Sequence, residues 1–166
     1  PYIFSNLLNK KLGYRLSHIA RKINDETIQR AVKKINLCKK KNFKKNKKIK
    51  ILILGIAFKG LPETIDLRNA PALEIYDKLK KNNLIKLYDI NGKLINKHFK
   101  IKDLIYKPNI NDFDLVLMIN NHPQYQKLFR KNVKLNKSKN MKFIFDPWNK
   151  VEKKICSIFN WHHINI

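Results

Sequence analysis

The side chains best placed to do chemistry in this chain crowd into one stretch, Ile51 to Arg68, which reads ILILGIAFKGLPETIDLR. A glycine, an Ala-Phe-Lys-Gly turn and an Asp-x-Arg pair, Asp66 and Arg68, follow directly on a four-residue apolar run. Phe58, Lys59 and Arg68 are thereby delivered to the end of a buried strand, and in open α/β sheets ligands bind outside the carboxyl ends of the strands. The chemistry open to these groups is recognition of a ligand at that edge. Position alone also allows them to be side chains of an ordinary surface loop.

Other candidates are weaker. His122 follows a strand end, where an acid-base role is open, but a lone histidine needs an identifiable partner to be catalytic, and a loop histidine capping a backbone carbonyl is the plainer reading. His162 and His163 are adjacent without a third ligand at a plausible spacing, so no metal is expected, and His18 and His98 offer nothing specific. Cys38 and Cys156 lie far apart without CxxC spacing and read as reduced thiols, neither of them a nucleophile. Asp89 closes a second strand, a position that often holds a ribose hydroxyl in dinucleotide folds, but the turn before it is GIAFKG and not G-x-G-x-x-G. A turn or cap role is expected for it.

The elements that must position these residues follow from apolar patterning. Ile51 to Leu54 lacks polar alternation, as a strand covered on both faces does, and Gly55 lets the chain turn at its end. Asn69 is expected to cap a helix that takes Pro71 in its first turn and carries Leu73, Tyr76 and Leu79 on its apolar face. Further strands are expected at Leu84 to Tyr88, at Leu115 to Ile119 after Asp112 and Asp114, and at Lys142 to Phe145 before Asp146-Pro147-Trp148. Asn91-Gly92 marks a turn. Upstream, Leu16, Ile19, Ala20, Ile23, Ile28, Ala31, Val32 and Ile35 recur at helical spacing over a length of about 30 Å. The fold class is α/β: a Rossmann-like doubly wound parallel sheet of four or five strands, preceded by a long amphipathic helix. Residues 1–38 read as a helical part, 39–48 as a lysine-rich linker and 49–166 as the α/β domain.

Composition limits the function classes. The 166 residues, 43% of them hydrophobic, suffice for one full core. No segment reaches the length of a membrane span, and the start, PYIFSNLLNKK, does not read as a signal peptide, so a cytoplasmic protein with no membrane partner is expected. A net charge of +25 would ordinarily point to a polyanion. Yet 32 of the 37 basic residues are Lys, and Lys, Asn and Ile, all with AT-rich codons, make up 76 of the 166 residues. A specific nucleic-acid reader favours Arg, which makes bidentate contacts, so no specific nucleic-acid partner is expected. Eight lysines in the twelve residues Lys39 to Lys50 are expected to repel one another into an extended, solvated segment, with a basic docking patch as the alternative.

GIAFKGLPETIDLRNAPALEI resembles the signature that opens the C-terminal domain of the UDP-glucose/GDP-mannose dehydrogenases, a G-x-A-F/Y-K turn followed by D-x-R and a small residue before a helix. Other parts agree in order: an Arg-x-x-Asn-Asp helix at Arg21 to Asp25, Tyr88-Asp89 after the second strand, an apolar strand leading to His122, and a late strand ending at Asp146. The resemblance implies a two-step, NAD-dependent oxidation of the C6 hydroxyl of a nucleotide sugar to a uronic acid, through a cysteine-bound thiohemiacetal and thioester. It further implies that Phe58 and Lys59 lie beside the nucleotide sugar, that Arg68 reaches toward the cofactor, and that the upstream helix builds the core of a homodimer. Pro1-Tyr2 aligns with the tail of the family's cysteine motif, so the catalytic cysteine and the NAD fingerprint are expected outside this chain, which alone should not catalyse. A non-catalytic dimerisation remnant and a basic nucleic-acid-binding protein are the alternatives.

Overall fold

The structure, a computed structural model, describes residues 12–133, 141–153, 156 and 161–164, leaving out the side chains of 12–14 and 132–133. Pro1 and Tyr2, which align with the cysteine motif, lie outside the described residues.

A helix α1 (Leu12–Asn42) leads into strand β1 (Lys50–Leu54). There follow α2 (Pro71–Leu79), β2 (Leu84–Tyr88), α3 (Gly92–Phe99), β3 (Leu115–Met118), α4 (Pro123–Val133), β4 (Lys142–Phe145) and β5 (Trp161–His163). All four strand pairings are parallel, in the order β2-β1-β3-β4-β5. Strand order reverses between β1 and β3, the topological switch point at which doubly wound sheets bind ligands.

The alternation of side chains along each strand divides the core into two layers. Ile51 and Ile53 of β1, Leu115 and Leu117 of β3 and Phe143 and Phe145 of β4 face a cluster completed by Ala72, Ile75 and Leu79 of α2 and Ile35 of α1. Leu52, Leu54, Val116, Met118 and Ile144 face the opposite way, against Tyr125 and Phe129 of α4, Val151, Cys156 and Trp161. Both faces of the central strands are covered, which is why they read as unbroken apolar runs. β2 lies at the sheet edge and alternates instead, Ile85 and Leu87 buried and Leu84 and Lys86 exposed.

Two expectations are corrected. Asn69 is not the cap of α2: Ala70 occupies that position without a side-chain hydrogen bond, and Asn69 turns the chain at φ 53°. Pro71 opens the helix as expected, its fixed φ and missing N–H suiting the first position. The lysine-rich run does not start extended, because α1 continues through Lys39, Lys40 and Lys41 to Asn42. Lysine is a good helix former, cations at a helix C-terminus oppose its dipole, and Lys39 Nζ is tied to Asn82 O at 2.8 Å and Asn83 Oδ1 at 2.7 Å. The sheet takes the upper of the two strand counts expected, with β5 at Trp161–His163 pairing Phe143 with His162.

α1 divides its apolar stripe. Ile35 is buried, and Ile28, Ala31, Val32 and Cys38 pack on the α2 side of the core, whereas Leu16, Ile19 and Ile23 are more than half exposed.

Candidate functional site

The loop after β1 is held from below by Asp89, the residue after β2. Its Oδ2 accepts hydrogen bonds from the backbone N–H groups of Ile56 at 2.8 Å and Ala57 at 3.1 Å, and its Oδ1 accepts from Asn91 N at 2.9 Å. Asp89 is 4% exposed and so is the clamp of this turn. That use agrees with a turn role and leaves neither oxygen committed to a ribose hydroxyl. With no glycine-rich loop between Gly55 and Gly60 either, the residues at this strand end do not fit a dinucleotide bound in the standard way.

The third strand supplies the other wall. Gly55 has φ +89°, and a Cβ there would lie 2.4 Å from Asn120 Cγ, so both conformation and space require glycine. The close approach lets Asn120 Nδ2 donate to Ala57 O at 3.3 Å. Gly60 is similarly confined, a Cβ there falling 2.7 Å from the backbone nitrogen of His122. His122 is buried, and its role differs from carbonyl capping: Nδ1 accepts from Gln124 N at 3.2 Å, which puts the proton on Nε2, 3.1 Å from Glu63 Oε1. Asn91 Nδ2 donates to the other oxygen of Glu63 at 3.1 Å. Glu63 thus fastens the loop to the residues after both β2 and β3.

Beneath the loop is a narrow crevice with no room for a water molecule, to which Lys59, Asp89, Asn120, His122 and Tyr125 contribute. Tyr125 is fully buried there, and burial, reinforced by the Asp89 charge, pushes its phenol well above the ordinary range. Its hydroxyl lies near the Ile90 backbone and the Asn120 amide, with no hydrogen bond to either among the described residues.

Lys59 borders this crevice, while Phe58 and Arg68 do not. Phe58 is 54% exposed, and its N–H donates to Asp66 O at 2.9 Å, bringing the two arms of the loop together. Arg68 is exposed and spans both oxygens of Asp66, Nε at 3.0 and 3.1 Å and Nη2 at 2.7 Å. Those side-chain hydrogen bonds hold the Asp66 carboxyl down at about 2. The guanidinium therefore meets any ligand already paired. Glu63 and Asn120, which the sequence reading did not single out, complete the arrangement; only the strand order brings them beside Lys59 and His122.

The remaining reactive groups lie elsewhere. Cys38 is on α1, its thiol pushed up by burial. Cys156 is buried 3.2 Å from His163 Nε2, and burial pushes its thiol to about 11, so at neutral pH it is an S–H beside the ring and not a thiolate. Among the described residues no group of three or more His, Cys, Asp or Glu could hold a metal ion, and no helix is long and apolar enough to cross a membrane.

Residues 52–153 match the UDP binding domain of the UDP-glucose/GDP-mannose dehydrogenase family, a span that includes the switch-point loop and every strand except β5 and the start of β1. The chain belongs to this family. The dehydrogenase family is also where its fold recurs among solved structures. It is similar to the UDP-D-ManNAc dehydrogenase from Pyrococcus horikoshii, with 22% identity, a TM-score of 0.67 and coverage of 99% of this chain and 36% of that one. It is similar to the UDP-N-acetyl-mannosamine dehydrogenase Cap5O from S. aureus, with 21% identity, a TM-score of 0.67 and coverage of 97% and 35%. The UDP-glucose dehydrogenase from Pyrobaculum islandicum matches at 18% identity and a TM-score of 0.56, over 81% of this chain and 29% of that one. The chain thus spans about a third of the length of these dehydrogenases. No curated protein matches it.

Proposed function

We propose that this chain is the nucleotide-sugar-binding part of an NAD-dependent UDP-sugar 6-dehydrogenase. The observation that carries the reading is the exposed Phe58-Lys59 pair at the β1 carboxyl end, beside the sheet's switch point, in a chain matching the family's UDP binding domain. The crevice beneath the loop holds no room even for water, against the roughly 300 Å³ that a small-molecule site needs. The nucleotide sugar accordingly lies over the loop, its diphosphate facing the Lys59 ammonium and an apolar face of the ligand against Phe58. Arg68, locked to Asp66, presents its outer edge toward the side where a cofactor domain would close.

The chemistry proposed for the whole enzyme is capture of an aldehyde by a thiolate, with NAD accepting hydride. This chain contributes binding and orientation to it. Neither Cys38 nor Cys156 is poised as the nucleophile, since burial raises both thiols. NAD is assigned to a separate domain, because Asp89 is spent on its backbone clamp. The exposed Leu16, Ile19 and Ile23 support pairing of α1 with a second copy, and a monomer by light scattering at micromolar concentration would contradict that part.

Calorimetric titration of the chain with UDP tests the binding role. Saturable binding is expected, weakened about 10- to 100-fold by Lys59→Ala, the loss of one charge-assisted contact. No saturable UDP binding, or equal affinity for the variant, would refute it.

A further inference from the structure

At the opposite end of the sheet from the switch-point loop, the last turn of α1 and the turn that follows it enclose an open groove of about 580 Å³. Lys48 and Asn82, which border it, stand just before β1 and β2, so the groove lies at the amino ends of the strands. Lys39, Lys40, Lys44 and Lys45 complete its cationic lining, and among the described residues no carboxylate borders it. Between Glu26 and Glu63 the sequence carries twelve basic residues and no acidic one. A compositional bias toward lysine sets the chain average, 32 of 166, but does not gather eight into the twelve residues Lys39 to Lys50.

The groove is built as well as charged. The buried Asn83 side chain donates to Leu79 O at 2.9 Å and accepts from Lys39 Nζ, fixing the end of α1 against the turn before β2. Lys39 is thereby used as a strut, and among the described residues no carboxylate pairs with Lys40, Lys44, Lys45 or Lys48. Holding like charges around one depression costs free energy that a bound anion would recover. A second depression, of about 440 Å³, shares Asn36 and Lys40 and extends the positive surface to Lys33, ending at Lys78, which is paired with Glu74 at 3.5 Å.

We propose that this groove is a binding site for a chain of condensed phosphates, distinct from the nucleotide-sugar site. Lysines supply compact point charges suited to phosphate oxygens. Two features favour a phosphate chain over nucleic acid. Among the described residues the groove has no arginine to read base edges, and its one aromatic ring, Phe43, is already packed in a T-shaped contact with Phe143 at 5.6 Å and lies under Lys47 at 5.5 Å, contacts that a stacked base would have to displace. A concave lining also suits an inserted anion better than the surface of a bilayer.

The test titrates linear inorganic polyphosphate into the full chain at about 0.15 M salt. The groove variant K40Q/K44Q/K45Q/K48Q spares the structural Lys39, and K97Q/K100Q/K102Q/K107Q removes the same charge elsewhere; circular dichroism checks the folding of both. Binding is expected to fall at least about tenfold in the groove variant and to stay within about threefold in the control, with a shallower salt dependence only in the former. Equal losses in the two variants would reduce the effect to the overall positive field and overturn the proposal. So would undetectable binding to the native chain, or oligo-deoxythymidine of matched charge or phosphatidylserine vesicles binding as tightly as polyphosphate.

Discussion

Replacing Asp89 with alanine removes the acceptor for three backbone N–H groups at once. Two of them, on the buried residues Ile56 and Ala57, are shielded from water, and the third, on Asn91, is partly covered. A buried donor left without an acceptor costs about 1–3 kcal/mol, so the two buried amides alone set a loss of about 2–6 kcal/mol, to which Asn91 adds less because water reaches it. Against a total of about 5–15 kcal/mol for an ordinary domain, a loss of this size removes a large part of the stability. At about 2–4 °C per kcal/mol for a chain of this length, the melting temperature should drop by roughly 4–24 °C. Asp89→Asn keeps one acceptor oxygen, which can serve the buried Ile56 and Ala57 amides, while its NH2 group opposes the Asn91 N–H donor to donor at the water-accessible side, so it should cost clearly less than Asp89→Ala. Urea unfolding followed by circular dichroism measures both variants. A change below about 1 kcal/mol for Asp89→Ala, or equal damage from Asp89→Asn, would refute the reasoning, because the argument counts acceptors and not charge.

Two further outcomes test the same region and the opposite core layer. Gly60→Ala places a methyl 2.7 Å from the His122 backbone nitrogen, which cannot rotate away, and should destabilise by about 1–3 kcal/mol in the same urea assay; native stability would show that the loop moves freely. Burial raises the Cys156 thiol from 9.0 to about 11 in the folded chain. The folded state therefore holds a proton that the unfolded state gives up between those values, and stability should fall as pH rises from about 9 to 11. Cys156→Ser, with no group titrating there, should lose less over that range, and parallel stability curves for the two proteins would refute this.

The parts of the fold legible in the sequence were those written in contiguous apolar residues. Ile51–Leu54, Leu115–Met118 and Lys142–Phe145 read as covered strands because both of their faces are buried. Gly55 likewise announced the turn that its positive φ provides. β5 was not legible, since Trp161, His162 and His163 are too few and too polar to mark a strand and are held by pairing to β4. The lysine run was misread as wholly extended because its charge is visible in sequence, whereas the Lys39 anchor on Asn82 and Asn83, some 43 residues away, is not. In the candidate site, type and spacing singled out Phe58, Lys59 and Arg68, all of which fall in the loop between β1 and α2, with Lys59 alone of the three bordering the crevice. The Glu63–His122 contact joins residues 59 apart and exists only because β3 lies next to β1.

The split burial of α1 makes the helix a lever. Its 31 residues extend about 46 Å, yet only the half from Ile28 onward is seated on the core. From that seat to Leu12 the helix runs about 24 Å further. A tilt of only about 5° at Ile28 would carry the far end through about 2 Å, half the width of a side chain contact. A small repacking beneath α2 could therefore be read out as a displacement on the far side of the molecule, where Leu16, Ile19 and Ile23 offer apolar purchase.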